Sequence, residues 1–147
     1  MSEKSLSIII AGVGGQGVIK ASDLLAHAAF NHGLDVKKAE VHGLAQRGGS
    51  LLIQVRLGER VLSPLINPGS ADFLVGFEKL EAYRYFNWLK QDGFLLYDDL
   101  EIVPVGNSRH DYPADLDSFF SSQTCRTAKT SAMAEAIRQG DASMQSV

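Results

Sequence analysis

The sequence predicts a three-layer α/β sandwich whose sheet is mostly parallel and carries an antiparallel hairpin insertion. Three observations lead there. An apolar run, Leu6-Ser7-Ile8-Ile9-Ile10-Ala11, feeds directly into the glycine-rich Gly12-Val13-Gly14-Gly15-Gln16-Gly17-Val18. Apolar residues at helical spacing follow at once, so the glycines sit where strand gives way to helix. Further apolar runs of strand length then alternate with helical stretches, an order that lays helices on a sheet.

Each element has its own signal. The first strand covers about Leu6 to Ala11. The helix after it runs from Gly17 to about His32, with Val18, Ala21, Leu25 and Ala29 on one face and Gly33 as its C-terminal stop. Asp35 to Glu40 reads as a second strand, and Val41 to Gly49 as a loop. From Ser50 to Leu57 the residues alternate, with Leu51, Ile53, Val55 and Leu57 on one face. Gly58-Glu59 then reads as a hairpin tip, Arg60 to Leu62 as the returning strand, and Asn67-Pro68-Gly69 as a turn. Asp72 to Phe77 is a short buried strand. Lys79 to Lys90 is a helix with Ala82, Phe86 and Leu89 inward. Phe94 to Tyr97 and Glu101 to Val105 read as two more strands. Asn107 to Asp111 is a polar loop, Pro113 opens a short helix, and a last helix covers about Ser131 to Gln139.

Whole-chain properties exclude several functions. The 147 residues, 45% hydrophobic and 21% charged, suit one globular domain over 1–147. The net charge is -3 and no Lys/Arg run occurs, so nucleic acid is not an expected partner. The longest apolar runs fall far below the ~20 residues of a membrane span. Met1-Ser2-Glu3-Lys4 lacks the basic-then-apolar layout of a signal peptide. Cys125 is the only cysteine, which rules out an internal disulfide and the several thiolates of an iron–sulfur cluster. A cytoplasmic protein is expected.

Two segments carry candidate chemistry. The first is the glycine loop, a G-x-G-x-x-G pattern at the carboxyl end of the first strand, as in Rossmann-like folds. It presents backbone N–H groups at a helix N-terminus, where a phosphate or another anion can bind. Gly12, Gly14, Gly15, Gln16 and Gly17 are therefore candidate cofactor-binding residues. A dinucleotide site also needs an acidic residue about 20 positions on, to hold the ribose hydroxyls. Glu40 is the local candidate, with Lys37-Lys38 just before it. The plainer reading is that the glycines only permit a tight turn. Gln16 replaces the usual small residue, and its amide can bond a neighbouring loop or subunit. The second segment is Glu40-Val41-His42-Gly43-Leu44-Ala45-Gln46-Arg47-Gly48-Gly49-Ser50. Gly48 and Gly49 allow close backbone approach, and Arg47 offers a planar fork for phosphate or carboxylate. His42, Gln46 and Arg47 gather polar groups on one loop; the alternative is a solvated surface loop.

The remaining signals are weaker. His27, His32, His42 and His110 show no metal-ligand spacing. Glu78 and Glu81 read as an acidic first turn suited to the positive helix end. Asp98-Asp99 read as a turn. Tyr83, Tyr85, Phe86 and Trp88 exceed one buried stripe, so part of that cluster is a candidate subunit interface.

Taken together, the glycine loop, the Ala45-Gln46-Arg47-Gly48-Gly49 loop, Val55-Arg56, Ser63-Pro64-Leu65-Ile66 and Ala71-Asp72-Phe73-Leu74-Val75 resemble the small, gamma-type subunit of the 2-oxoacid:ferredoxin oxidoreductases. The form of the loop is most similar to the indolepyruvate branch, whose small subunit is termed beta. The resemblance covers roughly residues 6 to 105 and is collinear. It implies the domain III fold of pyruvate–ferredoxin oxidoreductase, and a part in oxidative decarboxylation of a 2-oxoacid to an acyl-coenzyme A, with electrons passed to ferredoxin. It also implies that thiamine diphosphate and the 4Fe–4S clusters sit on a large partner subunit. The present chain then holds no cofactor alone, contacts coenzyme A through the two loops, and is inactive in isolation. Family members continue into further C-terminal helix, so the domain ending at Met144-Gln145-Ser146-Val147 is expected to be truncated. The alternatives are a stand-alone NAD- or flavin-binding redox domain, resting on the glycine pattern and Glu40, and a scaffold module whose glycine loop is only a turn.

Overall fold

The structure is a computed structural model and describes residues 5–43, 48–104, 106–132 and 135. It has a six-stranded sheet: β1 (Ser5–Val13), β2 (Asp35–His42), β3 (Ser50–Gly58), β4 (Ala71–Gly76), β5 (Leu89–Asp98) and β6 (Arg126–Thr130). The spatial order is β2-β3-β1-β4-β5-β6. β1, β4, β5 and β6 run parallel in sequence of pairing, while β3 lies antiparallel between β1 and β2. The helices are α1 (Val18–Asn31), α2 (Lys79–Arg84) and α3 (Leu116–Ser121).

Strand β1 explains the layering. Its unbroken Ile8-Ile9-Ile10-Ala11 run is buried on both faces, the pattern of a central strand in a covered sheet. Ile8 and Ile10 join Ile53 and Val55 of β3 under Val18 and Leu25 of α1. Ile9 and Ala11 join Leu74 and Leu95 under Leu80, Ala82, Leu116 and Phe120 of α2 and α3. The two helix layers therefore cover opposite faces, and the sandwich has the three layers expected.

Several boundaries differ from expectation. The expected hairpin does not pair Ser50–Leu57 with residues 60–62; β3 pairs instead with β2 and with β1. Residues 60–66 form an irregular segment tied down from outside. Asp35 Oδ2 accepts the Val61 N–H at 2.9 Å, and Gln54 Oε1 accepts the Ile66 N–H at 2.7 Å. The helix expected to reach Lys90 ends at Arg84, and a short 3-10 turn at Phe86–Trp88 leads into β5, whose Leu89 pairs with Ala71. Tyr85, Phe86, Asn87 and Trp88 are mediocre helix formers, so the tertiary pairing prevails. Residues 101–104 are not a strand; the Ile102 N–H is held instead by Glu78 Oε1 at 3.0 Å. β6 takes the sheet edge, with the Arg126 guanidinium lying 5.6 Å from the Phe94 ring centre. Of the last expected helix, the Glu135 N–H bonds the Ser131 carbonyl at 3.0 Å, and residues 136–139 lie outside the described residues.

Candidate functional site

The carboxyl ends of the parallel strands place the glycine loop beside the neck of the second loop. Gly12 is packed rather than open: a Cβ there would lie 2.6 Å from Val18 Cγ2 and 2.9 Å from Phe77 Cβ. Gln16 is 1% exposed. Its Oε1 accepts the Val13 N–H at 2.7 Å, and its Nε2 donates to the Phe77 carbonyl at 2.9 Å. That amide fills the crevice between β1 and β4, the point where the sheet's connections switch from one face to the other. A nucleotide pyrophosphate crosses this crevice in dinucleotide folds. The sequence reading that Gln16 could bond a neighbouring loop is the role the structure gives it.

Above this floor lies the open part. Gly15 and Gly17 have φ of 102° and 79° with open space around them. Gly17 caps α1 without any side-chain acceptor, and the first turn of the helix has no acidic residue. Gly17, Val18 and Ile19 of that turn border a cavity of about 580 Å³, together with Gly14, Gly15, His42, Gly49 and Ser50. The Gly14 N–H donates to the Gly49 carbonyl at 2.9 Å, drawing the two loops together, and the Gly43 N–H donates to the Ser50 carbonyl at 3.0 Å, closing the neck of the second loop. Gly48 has φ 71°. Residues 44–47, among them Gln46 and Arg47, lie outside the described residues.

Glu40 does not take the position a ribose-binding acid needs. β3 separates β2 from β1, which sets Glu40 two strand spacings, about 10 Å, from the glycine-loop strand. Its carboxylate is engaged by Lys38 Nζ at 2.6 Å and His42 Nε2 at 3.2 Å. Lys38 also bonds Asp23.

Sequence reasoning gave no role of its own to Ser50, which it read as the last residue of the second segment and the start of a strand. Ser50 Oγ donates to Glu81 Oε2 and lies 3.1 Å from Tyr85 Oη. Glu81 is 4% exposed. Burial pushes its carboxyl above the ordinary value; Ser50 and Arg84 oppose the rise and Glu78 adds to it. Glu78 caps α2 by accepting the Glu81 N–H at 2.8 Å, as an acidic first turn should, and also takes the Tyr112 hydroxyl at 2.5 Å. Tyr85, Phe86 and Trp88 pack on the core, while Tyr83 is half-exposed and meets Phe119 edge-on at 4.9 Å. Asp98 ends β5, and Asp99 pairs with Lys79. Among the described residues no three His, Cys, Asp or Glu side chains gather as metal ligands, and no helix is long and apolar enough to cross a membrane.

The fold is that of the small subunits of oxoacid oxidoreductases. The pyruvate oxidoreductase subunit PORC of Thermotoga maritima superposes with TM-score 0.65 at 22% identity, over 92% of this chain and 67% of that one. The 2-oxoglutarate:ferredoxin oxidoreductase of Magnetococcus marinus, solved with 2-oxoglutarate, coenzyme A and succinyl-CoA, gives TM-score 0.67 at 20% identity, over 97% of this chain and 22% of that one. More particularly, the chain belongs to the pyruvate ferredoxin/flavodoxin oxidoreductase family, whose model matches residues 7–147. Among individual proteins it is 44% identical over 102 residues to indolepyruvate oxidoreductase subunit IorB of Thermococcus kodakarensis, across 69% of this chain and 50% of that protein. The chain spans about half the length of the curated relatives from Thermococcus, Pyrococcus and Archaeoglobus.

Proposed function

We propose that this chain is the accessory component of a 2-oxoacid:ferredoxin oxidoreductase of the indolepyruvate type. The complex would decarboxylate an aryl 2-oxoacid oxidatively to its acyl-coenzyme A and pass the electrons to ferredoxin. The observation that carries this reading is the likeness to indolepyruvate oxidoreductase small subunits together with the cavity at the uncapped α1 N-terminus. Backbone N–H groups at a helix N-terminus suit the phosphates of coenzyme A. Gly14, Gly15, Gly17, His42, Gly48 and Gly49 would border the bound phosphate, with Gln46 and Arg47 on the same loop. Gly12 and Gln16 would act from beneath, holding the loop in shape. The single cysteine of this sequence, Cys125, is too few thiolates for an iron–sulfur cluster. Thiamine diphosphate and the 4Fe–4S clusters are assigned to a large partner subunit, and the complex to the cytoplasm.

Reconstitution tests the reading. The chain mixed with a large subunit that carries thiamine and cluster motifs is expected to bind it and to restore coenzyme-A-dependent reduction of ferredoxin. Failure of both would reject the proposal.

A further inference from the structure

Three segments meet at the carboxyl edge of the sheet, and each is tied to another. Gln16 ties the glycine loop to Phe77 at the end of β4. The Gly14 N–H ties the glycine loop to Gly49. Ser50 Oγ ties the second loop to Glu81 on α2. The first two ties use backbone atoms and a neutral amide. The third uses a carboxyl that is 4% exposed.

Burying a carboxyl is costly unless it is well paired, and an apolar residue of similar volume often serves a fold as well or better. Glu81 is not needed to cap its own helix, because Glu78 already accepts the Glu81 N–H at 2.8 Å. Its carboxyl reaches instead across 31 positions of sequence to Ser50. Ser50 is the hinge of the cavity wall: it pairs with Val13 in the sheet, and its carbonyl holds Gly43. The groups that face the carboxyl are Ser50 and, through it, the Tyr85 hydroxyl, Arg84 Nε at 3.6 Å, and Glu78 one turn earlier.

We infer that Glu81 is a positioning residue for the glycine-loop cavity, acting through Ser50 and Gly49 on the wall that faces the α1 N-terminus. The inference rests on the reading of that cavity as a coenzyme A phosphate site. Glu81 is not among the residues that border the cavity. It holds Ser50, Ser50 fixes Gly49, and Gly49 receives the Gly14 N–H, so a carboxyl on the far face of the sheet sets the spacing of the two loops.

The test uses the full 147-residue chain, coenzyme A as probe, and the amide resonances of the glycines. Glu81→Ala and Ser50→Ala are expected to shift the Gly14 and Gly49 amide signals, to leave those of β6 in place, and to weaken coenzyme A binding on the order of tenfold, the scale on which a residue without ligand contact modulates a site. Glu81→Gln retains an acceptor for Ser50, so it should keep the affinity within about twofold of the unaltered chain and the two amides near their original positions. A merely structural Glu81 would lower the melting temperature without moving those two amides selectively. If Glu81→Ala does not fold, Ser50→Ala decides by itself. Glu81→Ala with unchanged affinity and unmoved Gly14 and Gly49 signals, or Ser50→Ala with unchanged affinity and an unmoved Gly14 signal, overturns the inference. If the unaltered chain does not bind coenzyme A, the phosphate-site reading fails, and the amide shifts still decide whether Glu81 positions the loops.

Discussion

Gln16 engages its whole amide on two backbone partners, Val13 and Phe77, and is 1% exposed while doing so. Replacing it by alanine leaves the Val13 N–H and the Phe77 carbonyl buried and unpaired and opens a void beneath the glycine loop. Chemical denaturation should show a loss of about 2–4 kcal/mol. Gln16→Glu is the sharper probe. A carboxylate oxygen would face the Phe77 carbonyl where Nε2 now donates, so the new group is expected to fold only with its proton kept. Its folded pKa would lie above its unfolded one. The variant's stability should be near normal at acid pH and fall as pH rises through the folded value, a slope absent from the parent chain. Gly12→Ala should cost about 1–3 kcal/mol, because Val18 and Phe77 close around the missing Cβ. The sequence identified Gln16 as unusual for its position. It could not say that the side chain turns inward, because Phe77 lies 61 residues away and only the fold brings it near.

At the level of elements, α1 was legible throughout. Its apolar spacing, the glycine before it and Gly33 after it gave both ends to within a residue. The segment after Glu78 was legible only at its start. The acidic first turn announced a helix, yet the helix stops at Arg84 because Leu89 pairs with Ala71 across the sheet. β6 was missed for the opposite reason. Arg126-Thr127-Ala128-Lys129-Thr130 is a polar edge strand whose outward side chains carry no apolar alternation. A network around Lys79 joins these late elements. Its ammonium bonds Asp99 at 2.8 Å, Glu101 at 3.1 Å and Asp117 at 3.2 Å. Burial alone would lower the Lys79 ammonium, but the three carboxylates outweigh it and hold its pKa above the ordinary range. Lys79→Met should cost about 2 kcal/mol in an unfolding titration, since the carboxylates are left facing one another while water still reaches them. The Tyr97 hydroxyl bond, with Lys79 adding to it against burial, holds the Asp117 carboxyl below its ordinary value of 3.8. Its contribution to stability is thus present above that value and lost as pH falls through the lower, folded one. Asp117→Asn should flatten that part of the acid-unfolding curve.

Across the whole molecule, sheet order decides what the glycine loop can bind. A dinucleotide site needs the acid of the second strand next to the first strand, and here β3 lies between them. Titration with NADH or NADPH is expected to show no saturable binding in the micromolar range, whereas salt should weaken coenzyme A binding, because fixed N–H dipoles attract its phosphates. By itself, the sequence determined the α/β class, the strand-to-helix glycine turn, the first helix and the family motifs, because these depend on local periodicity and on residue types at short spacing. The tertiary structure decided the rest. Only the fold set β3 between β1 and β2, turned Gln16 into the crevice, and carried Glu81 to Ser50. Each of these depends on segments far apart in the chain meeting at one edge of the sheet, and no local pattern encodes such a meeting.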